Sequence, residues 1–110
     1  MSYIPQRGDA VWLTLDPTEG REQAGRRPVL VLTPQAYNEK TGLMIVVPIT
    51  NRKKGYPFEV EIPSGLNVTG VILSDHLKSA DWQARNAAFI DKVPNDVVND
   101  VLEKLNTLIG

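Results

Sequence analysis

The apolar pattern of this chain changes period near Pro94, and that change constrains the fold more than any other feature. Before it, residues such as Val11, Leu13 and Leu15 alternate along the chain, which is typical of β-strands. After it, seven apolar residues share one stripe at helical spacing: Val97, Val98, Val101, Leu102, Leu105, Leu108 and Ile109. A helix with such a stripe, starting at Pro94-Asn95, needs a sheet to cover it. We therefore predict a mainly β fold with helices (α+β), a strongly bent antiparallel sheet or small barrel with a C-terminal amphipathic helix.

Six segments before this helix have strand patterns, at residues 9–15, 28–33, 43–47, 58–62, 71–73 and 87–90. We expect the third strand to stop at Pro48, because proline interrupts the hydrogen-bond ladder of a strand. Residues 34–42 fit a short helical turn or crossover, and we expect Trp12 and Trp82 in the core or in a dimer interface. The 110 residues contain no repeat or linker and suit one domain, residues 1–110.

Composition excludes several kinds of chemistry. The chain has no cysteine and a single histidine, His76, so disulfides, thiolate metal sites and two-histidine acid–base catalysis are excluded. No carboxylates cluster with the spacing of metal ligands, and we expect no metal and no other cofactor. The N-terminus lacks a signal-peptide pattern, and no apolar run approaches the ~18 residues of a membrane span. We expect a cytoplasmic protein without membrane contact.

Charge is distributed unevenly, although the net charge is only −1. Residues 1–55 contain eight Lys and Arg against five Asp and Glu, whereas residues 56–110 contain four against eight. The basic excess falls at Arg21, Arg26-Arg27 and Arg52-Lys53-Lys54. Such a patch attracts phosphates, although an ordinary solvated surface explains it equally well.

The connection from Asp16 to Arg27 is far longer than a hairpin between antiparallel strands needs. If strands one to five form a meander, this loop and the loop after Thr50 share one end of the sheet, and strand five finishes there at Ser74-Asp75-His76. The topology then brings together six polar residues that are distant in sequence: Glu22, Arg27, Thr50, Lys53, Lys54 and Asp75.

A carboxylate, a guanidinium and a hydroxyl suffice to cleave RNA, whose own 2′-OH is the nucleophile. Glu22 can take the 2′-OH proton, Arg27 can bind the phosphoryl oxygens bidentately, and Thr50 can donate a hydrogen bond to the same group. The alternative interpretation is that Glu22 and Arg27 merely pair with each other and hold the loop. The sequence pattern alone leaves both open.

The sequence resembles the MazF branch of the MazF/PemK toxins, and several spaced motifs carry the resemblance. They are Asp16-Pro17-Thr18, the segment 20–28, Val47-Pro48-Ile49-Thr50, the segment 54–60, Gly70-Val71, Ser74-Asp75, Lys78-Ser79, Trp82, Ala84-Arg85 and Leu108-Ile109-Gly110. The resemblance implies an SH3-like barrel of the CcdB/PemK type and a homodimer. It also implies metal-independent cleavage of single-stranded messenger RNA at short sequences, to a 2′,3′-cyclic phosphate and a 5′-OH. A MazE-like antitoxin with a disordered acidic tail would cover the RNA groove.

The resemblance assigns roles to matching positions. Glu22 and Arg27 match the acid–base and phosphate-stabilising positions, Thr50 matches the position at the scissile phosphate, and Gln23 and the 52–57 loop match positions that contact RNA. We expect eight RNA-binding residues: Arg21, Gln23, Arg52, Lys53, Lys54, Tyr56, Asp75 and His76.

Two positions depart from the PemK-like pattern. Some PemK-like members have a catalytic His where Arg21 stands and a catalytic Arg where Leu73 stands, so that assignment does not transfer and Glu22 is the better base candidate. Asp75 has lost its Arg neighbour and is interpreted as a structural or base-reading residue. His76 replaces a common Gln and suits hydrogen bonding in a groove, and Tyr56 suits stacking on RNA.

Two other functions compete with this one. A topoisomerase poison on the same fold, like CcdB, needs a C-terminal Trp-Gly-Ile, and this chain ends Leu108-Ile109-Gly110 instead. A non-catalytic RNA-binding module, or an inactive toxin, fits the basic patch as well as an enzyme does.

Overall fold

The computed structural model describes residues 3–14 and 25–110. The elements in chain order are β1 Asp9–Thr14, β2 Arg26–Val31, α1 Gln35–Thr41, β3 Leu43–Thr50, β4 Glu59–Glu61, β5 Val71–Leu73, β6 Lys78–Asp81, β7 Ala88–Lys92 and α2 Asn95–Ile109. The predicted strands and the C-terminal helix are confirmed, with β2 beginning two residues earlier than the sequence indicates, and β6 is an additional strand.

The strands form one antiparallel sheet in the order β4-β5-β3-β2-β1-β7, with β6 also paired to β3. The first three strands form the expected meander. The outer strands β4 and β7 do not pair with each other, so hydrogen bonds do not close the sheet into a barrel. The sheet nevertheless curves, as shown by Val60 of β4 and Ala10 of β1, which belong to the same core cluster.

The meander has a core on each of its faces because its strand residues alternate between two apolar sides. On one face Leu30 and Val47 pack with Val98 and Val101 of α2. On the other face a second cluster contains six meander residues, Val11, Leu13, Val29, Val31, Met44 and Val46, together with Ala80 and Trp82. The second face, opposite α2, carries the candidate site described below.

The third strand does not stop at Pro48, as the sequence pattern suggested, but continues to Thr50. Pro48 pairs with Val29 of β2. Since proline has no N–H, this pair cannot exchange hydrogen bonds, and the proline nitrogen lies on the side away from β2. There β3 changes its partner, from β6 at Leu43–Val46 to β5 at Ile49 and Thr50. No described strand pairs with Pro48 on this side, so the missing N–H costs no ladder bond.

The meander prediction is wrong beyond β3. β4 does not follow β3 in the sheet, because β5 lies between them. β5 begins rather than ends beside Thr50, since its first residue, Val71, is the partner of Thr50. The chain then turns at residues 74–77 and continues as β6, where Lys78 pairs with Val46. The turn therefore lies alongside the middle of β3, and β6 was missed because Lys-Ser-Ala-Asp lacks the β-branched and aromatic residues of typical strands.

α2 begins after Pro94, as expected, and buries Val98, Val101 and Leu105 against the sheet. Its apolar stripe is not covered along its whole length: Leu108 is 51% exposed and Ile109 is 71% exposed. Of the two tryptophans expected in the core or in a dimer interface, Trp82 lies in the core, where its indole Nε1 donates to the carbonyl of Asn38 at 2.8 Å, whereas Trp12 is 40% exposed in the single chain. In the part of the chain that the structure describes, no helix has the length and apolar character needed to span a membrane.

Candidate active site

A groove of about 610 Å³ lies on the face of the meander opposite α2. Its floor contains the buried side chains of Leu13, Val29 and Val46. Four polar residues also line it: Arg27, Thr50, His76 and Lys78. The apolar floor belongs to a packed core. Arg27, Thr50 and Lys78 beside it lie on strands, so the sheet rather than a long loop holds their backbone in place.

Strand register explains why Arg27 and Thr50 share this groove. Leu13 is the partner of Arg27, and Val29 is the partner of Pro48. Continuing the second register by two residues places Arg27 opposite Thr50, and a step of two keeps both on the same face. The row Leu13, Arg27, Thr50 therefore crosses three neighbouring strands. The convergence of Arg27 with Thr50 that the sequence predicted is confirmed.

The hydroxyl of Thr50 is oriented by the backbone that follows it. Thr50 Oγ1 accepts a hydrogen bond from the backbone N–H of Arg52 at 3.1 Å. Because that bond uses a lone pair of the oxygen, the hydroxyl proton can be donated to a ligand. Thr50 is thus suited to donate a hydrogen bond to an oxyanion in the groove.

The adjacent arginines Arg26 and Arg27 have different surroundings. Arg26 bridges two segments, donating to Thr14 Oγ1 at 2.8 Å and to the carbonyl of Asn86 at 2.7 Å. Arg27 is exposed on the groove side, and its guanidinium has no hydrogen bond or ion pair within residues 3–14 and 25–110. A guanidinium in this setting can bind a phosphate with two parallel hydrogen bonds.

A second, smaller cavity of about 180 Å³ adjoins the groove, and Thr50 and His76 line both spaces. Its other walls come from the β3–β4 loop, β4 and β5: Arg52, Lys54, Tyr56, Glu59 and Leu73. The carboxylate of Glu59 accepts hydrogen bonds from the backbone N–H groups of Lys54 and Gly55, each at 3.0 Å. Glu59 therefore holds the loop in shape.

The three basic residues of this loop have different surroundings. Arg52 and Lys54 line the small cavity, whereas Lys53 lines neither space and forms an ion pair with Glu61 of β4. The hydrogen bond to Glu61, and secondarily the negative charge of that carboxylate, raise the pKa of Lys53. The sequence grouped the three as one basic patch, whereas the structure separates Lys53, which is paired with Glu61, from Arg52 and Lys54, which line the cavity.

His76 reaches the groove by a route that the sequence did not indicate. It lies in the turn between β5 and β6, and its Nε2 is 3.7 Å from Asp75 Oδ1. Asp75 itself lines neither cavity. Asp75 and His76 do follow strand five, but the expectation that this strand finishes at the end of the sheet where the loop after Thr50 lies is wrong, since the turn lies beside the middle of β3.

Lys78, the first residue of β6, also lines the groove, and sequence reasoning did not assign it to the site. Its pairing with Val46 brings it beside the floor. Recognising β6 as a strand would have revealed it. Three other predicted site residues, Arg21, Glu22 and Gln23, lie outside the described residues, and so does the predicted pairing of Glu22 with Arg27.

The lining of the groove favours a bound anion. Arg27 and Lys78 supply positive charge, Thr50 supplies a hydroxyl donor, and no Asp or Glu is among the described residues that line it. Among residues 3–14 and 25–110, no group of three His, Cys, Asp or Glu side chains could hold a metal ion. The arrangement can bind a phosphodiester group against an apolar floor.

Comparisons with known proteins identify the family of the chain. Over residues 6–109 the chain matches the family described as PemK-like, MazF-like toxin of type II toxin-antitoxin system. The endoribonuclease toxin MazF of Escherichia coli strain K12 is 47% identical over 108 residues, which cover 98% of this chain and 96% of that protein. The endoribonuclease PemK of Escherichia coli is 39% identical, over 94% of this chain and 81% of that one.

Solved structures show the same fold. The crystal structure of MazE-MazF (Form-II) from Deinococcus radiodurans matches with a TM-score of 0.94 at 51% identity, covering 99% of this chain and 98% of that chain. The crystal structure of MazF (Form-I) from the same organism matches with a TM-score of 0.89, also at 51% identity, over 99% of both chains. Sequence and fold agree over nearly the whole chain, and the protein belongs to the PemK-like, MazF-like toxin family of type II toxin–antitoxin systems.

Proposed function

We propose that this protein is the endoribonuclease toxin of a toxin–antitoxin pair, and that it cuts single-stranded RNA at specific short sequences and thereby stops translation and growth. The observation that carries the proposal is the row of Arg27 and Thr50 across the groove floor, with Lys78 and His76 beside it. Relatives at 47% and 39% identity are named endoribonucleases, which supports the same conclusion.

In the proposed reaction the RNA supplies its own nucleophile. The 2′-oxygen forms a bond to the neighbouring phosphorus while the bond from phosphorus to the 5′-oxygen breaks, leaving a 2′,3′-cyclic phosphate and a 5′-OH. Glu22 takes the proton from the 2′-OH, and the departing 5′-oxygen takes up a proton from water. Arg27 binds the non-bridging oxygens as their charge grows, and the Thr50 hydroxyl donates a hydrogen bond to the same group.

The proposed cleavage needs no metal ion. In the groove the Arg27 guanidinium and the Lys78 ammonium stabilise the charge on the phosphoryl group. This is the role that a metal ion has in metal-dependent cleavage, so none is required. No other cofactor takes part in this reaction, since the nucleophile, the leaving group and the proton acceptor are all supplied by RNA and protein.

The proposed partners follow from the same site. A MazE-like antitoxin with an acidic, disordered tail binds the basic lining of the groove in place of RNA, and the matched Deinococcus structures of MazE-MazF support such a partner. A homodimer joins two short grooves into one long enough for several nucleotides. The substrate is messenger RNA, which places the protein in the cytoplasm.

The decisive experiment is incubation of the purified protein with single-stranded RNA in excess EDTA, followed by analysis of the product ends. Cleavage with 2′,3′-cyclic phosphate and 5′-OH ends is expected. Cleavage that disappears in EDTA and returns with a divalent ion would refute metal independence. Tight RNA binding without any cleavage would favour the non-catalytic module instead.

A further inference from the structure

His76 lies where the groove and the small cavity meet, and its side chain contributes to the lining of both. The other ionisable residues of the two described linings are Arg27 and Lys78 in the groove and Arg52, Lys54, Tyr56 and Glu59 in the cavity. Side chains of those four types ordinarily keep one charge state between about pH 5.5 and pH 8, whereas an imidazole gains a proton within this range. Mild acidification therefore adds positive charge to the two linings at His76.

The fixed charges around His76 couple its proton to a bound anion. Two cations and no carboxylate are among the described residues that line the groove, and two cations and Glu59 line the cavity. The carboxylate of Glu59 is itself engaged by the backbone N–H groups of Lys54 and Gly55. The surrounding cations alone oppose a proton on His76, whereas a phosphate bound among them favours it. A ligand of high negative charge should therefore bind more tightly when the imidazole is protonated.

Asp75 is the carboxylate beside this imidazole, and it leaves the ring available to a ligand. His76 Nε2 is 3.7 Å from Asp75 Oδ1, beyond hydrogen-bond distance. Asp75 lines neither the groove nor the cavity, whereas the side chain of His76 is 53% exposed and lines both. The negative charge of Asp75 favours the protonated ring without occupying the side that faces the groove.

The turn between β5 and β6 fixes the backbone of His76. The backbone N–H of His76 donates to the carbonyl of Leu73 at 3.1 Å, and the N–H of Ser74 donates to the carbonyl of Phe58 at 3.0 Å. Ser74 is fully buried, so the start of the turn is anchored in the protein. The ring therefore stays at the junction of the two spaces in either charge state, and a proton changes the charge there without a new path of the chain.

We infer that His76 makes RNA binding depend on pH: its protonated imidazole donates a hydrogen bond to a backbone phosphate of the bound strand, next to the phosphate held by Arg27 and Thr50. The inference rests on the proposed function for the nature of the ligand, and it adds regulation of the same site by protons. Binding takes up as much as one proton, so affinity rises as pH falls through the range in which the imidazole is protonated. Above that range the ring is neutral and the added affinity is lost.

The test measures binding of a strand that cannot be cleaved, a short 2′-deoxy single strand of uracil. Neither uracil nor a phosphodiester changes its charge in this pH range, so the strand itself does not titrate. The parent protein, without a histidine tag, should bind about three- to tenfold more tightly at pH 5.5 than at pH 8 at constant ionic strength, the order expected for one charged hydrogen bond at a half-exposed site. His76→Gln keeps a hydrogen-bonding side chain without the charge, and its affinity should not change between these pH values. Asp75→Asn should keep the rise but move it to lower pH, because the neighbouring negative charge is removed.

His76 is the only histidine of the chain, so its imidazole resonance in the NMR spectrum reports the proton directly. Because the coupling is reciprocal, the midpoint of its titration should be about 0.5 to 1 pH unit higher in the complex than in the free protein, matching the three- to tenfold change in affinity. Equal midpoints would overturn the inference, and so would a pH dependence that survives in His76→Gln. RNA cleavage together with pH-independent binding refutes the role of His76 alone, and pH-dependent binding without cleavage refutes the proposed reaction alone.

Discussion

Arg26 and Arg27 show how one residue step along a strand separates structure from chemistry. The side chain of Arg26 ties Thr14 of β1 to the carbonyl of Asn86. The side chain of Arg27, on the opposite face, enters the groove beside Thr50. The two residues are identical in charge and adjacent in sequence, so they form a matched pair for mutagenesis.

We expect Arg27→Ala to reduce the rate of RNA cleavage by at least ~100-fold, the order seen when a preorganised donor to a developing charge is lost. Arg27→Lys should recover little activity, because an ammonium group cannot bind a phosphate bidentately. The measurement is single-turnover cleavage of a defined RNA, with circular dichroism as the check on folding.

Arg26→Ala is the control, since it removes the same charge from the other face. It should lower the melting temperature by removing two hydrogen bonds, while cleavage below that temperature stays within a few-fold of the parent protein. Near-normal cleavage by folded Arg27→Ala would mean that Arg27 is not the phosphate-binding group.

The basic loop gives a second contrast between residues. Lys54 lines the small cavity, whereas Lys53 is already paired with Glu61. The logarithm of RNA affinity falls with the logarithm of salt concentration by about 0.7 for each phosphate neutralised on a single strand. Lys54→Gln should therefore reduce the salt slope by roughly that amount, and Lys53→Gln by clearly less. Equal losses of slope from the two variants would show that Lys53 leaves Glu61 when RNA binds.

The sequence located the Arg27–Thr50 pair because antiparallel pairing of β1, β2 and β3 in chain order fixes which strand ends meet. It could not locate Lys78, because that residue enters the groove through β6, whose residues lack a strand pattern. It also could not divide the Arg52-Lys53-Lys54 group. Which basic side chain faces a cavity and which faces Glu61 depends on the path of the loop and not on residue type.

At the scale of elements, the long third strand determines the geometry of the site. β3 pairs with β2 along one edge and with β6 and then β5 along the other. Hydrophobic alternation predicted that β3 exists but placed its end at Pro48. Proline is compatible with the strand here because it lies where β3 changes partner, a tertiary fact that local sequence does not encode. The extra two residues carry Thr50 into the groove.

The β3–β5 pairing depends on Gly70, which immediately precedes β5. Gly70 has φ +116, and a Cβ there would lie 2.3 Å from the carbonyl oxygen of Thr50. We expect Gly70→Ala to lower the free energy of unfolding by roughly 2–5 kcal/mol, from backbone strain together with the steric clash. Because the clash displaces Thr50, cleavage should also fall, by up to about 100-fold. Urea denaturation and cleavage assays on the same preparation measure both effects.

Gly65 offers the matching control for backbone strain alone. It has φ +97, but a Cβ there would have no neighbour within 4 Å. Gly65→Ala should cost roughly 1–3 kcal/mol and should leave cleavage by the folded protein nearly unchanged. If both variants lose stability and activity to the same extent, the close approach of Gly70 to Thr50 has no functional consequence.

At the scale of the whole molecule, the sheet keeps its two faces separate. α2 covers one face with Val98, Val101 and Leu105, and the groove opens on the other. The change of hydrophobic period at Pro94 predicted this helix-on-sheet arrangement correctly. It did not predict the order of the outer strands, because β4 and β5 are too short for alternation to specify which of them pairs with β3.

The same basic groove should bind an inhibitor and a substrate in turn. Basic side chains donate hydrogen bonds to carboxylates as readily as to phosphates. Four of them line the groove and the adjoining small cavity: Arg27, Lys78, Arg52 and Lys54. An acidic disordered peptide can therefore occupy the path of RNA. We expect an acidic antitoxin tail and a non-cleavable single-stranded RNA to displace one another, with the apparent affinity of each falling in proportion to the concentration of the other. Arg27→Ala should weaken both ligands, because both use that guanidinium, whereas Arg26→Ala should weaken neither by more than a few-fold. The measurement is fluorescence anisotropy of a labelled RNA titrated with the peptide, at two salt concentrations because ionic contacts weaken with salt. A ternary complex in which peptide and RNA bind together without loss of affinity would refute inhibition by occupation of the groove. Inhibition would then be allosteric, through a coupling free energy between two distinct sites.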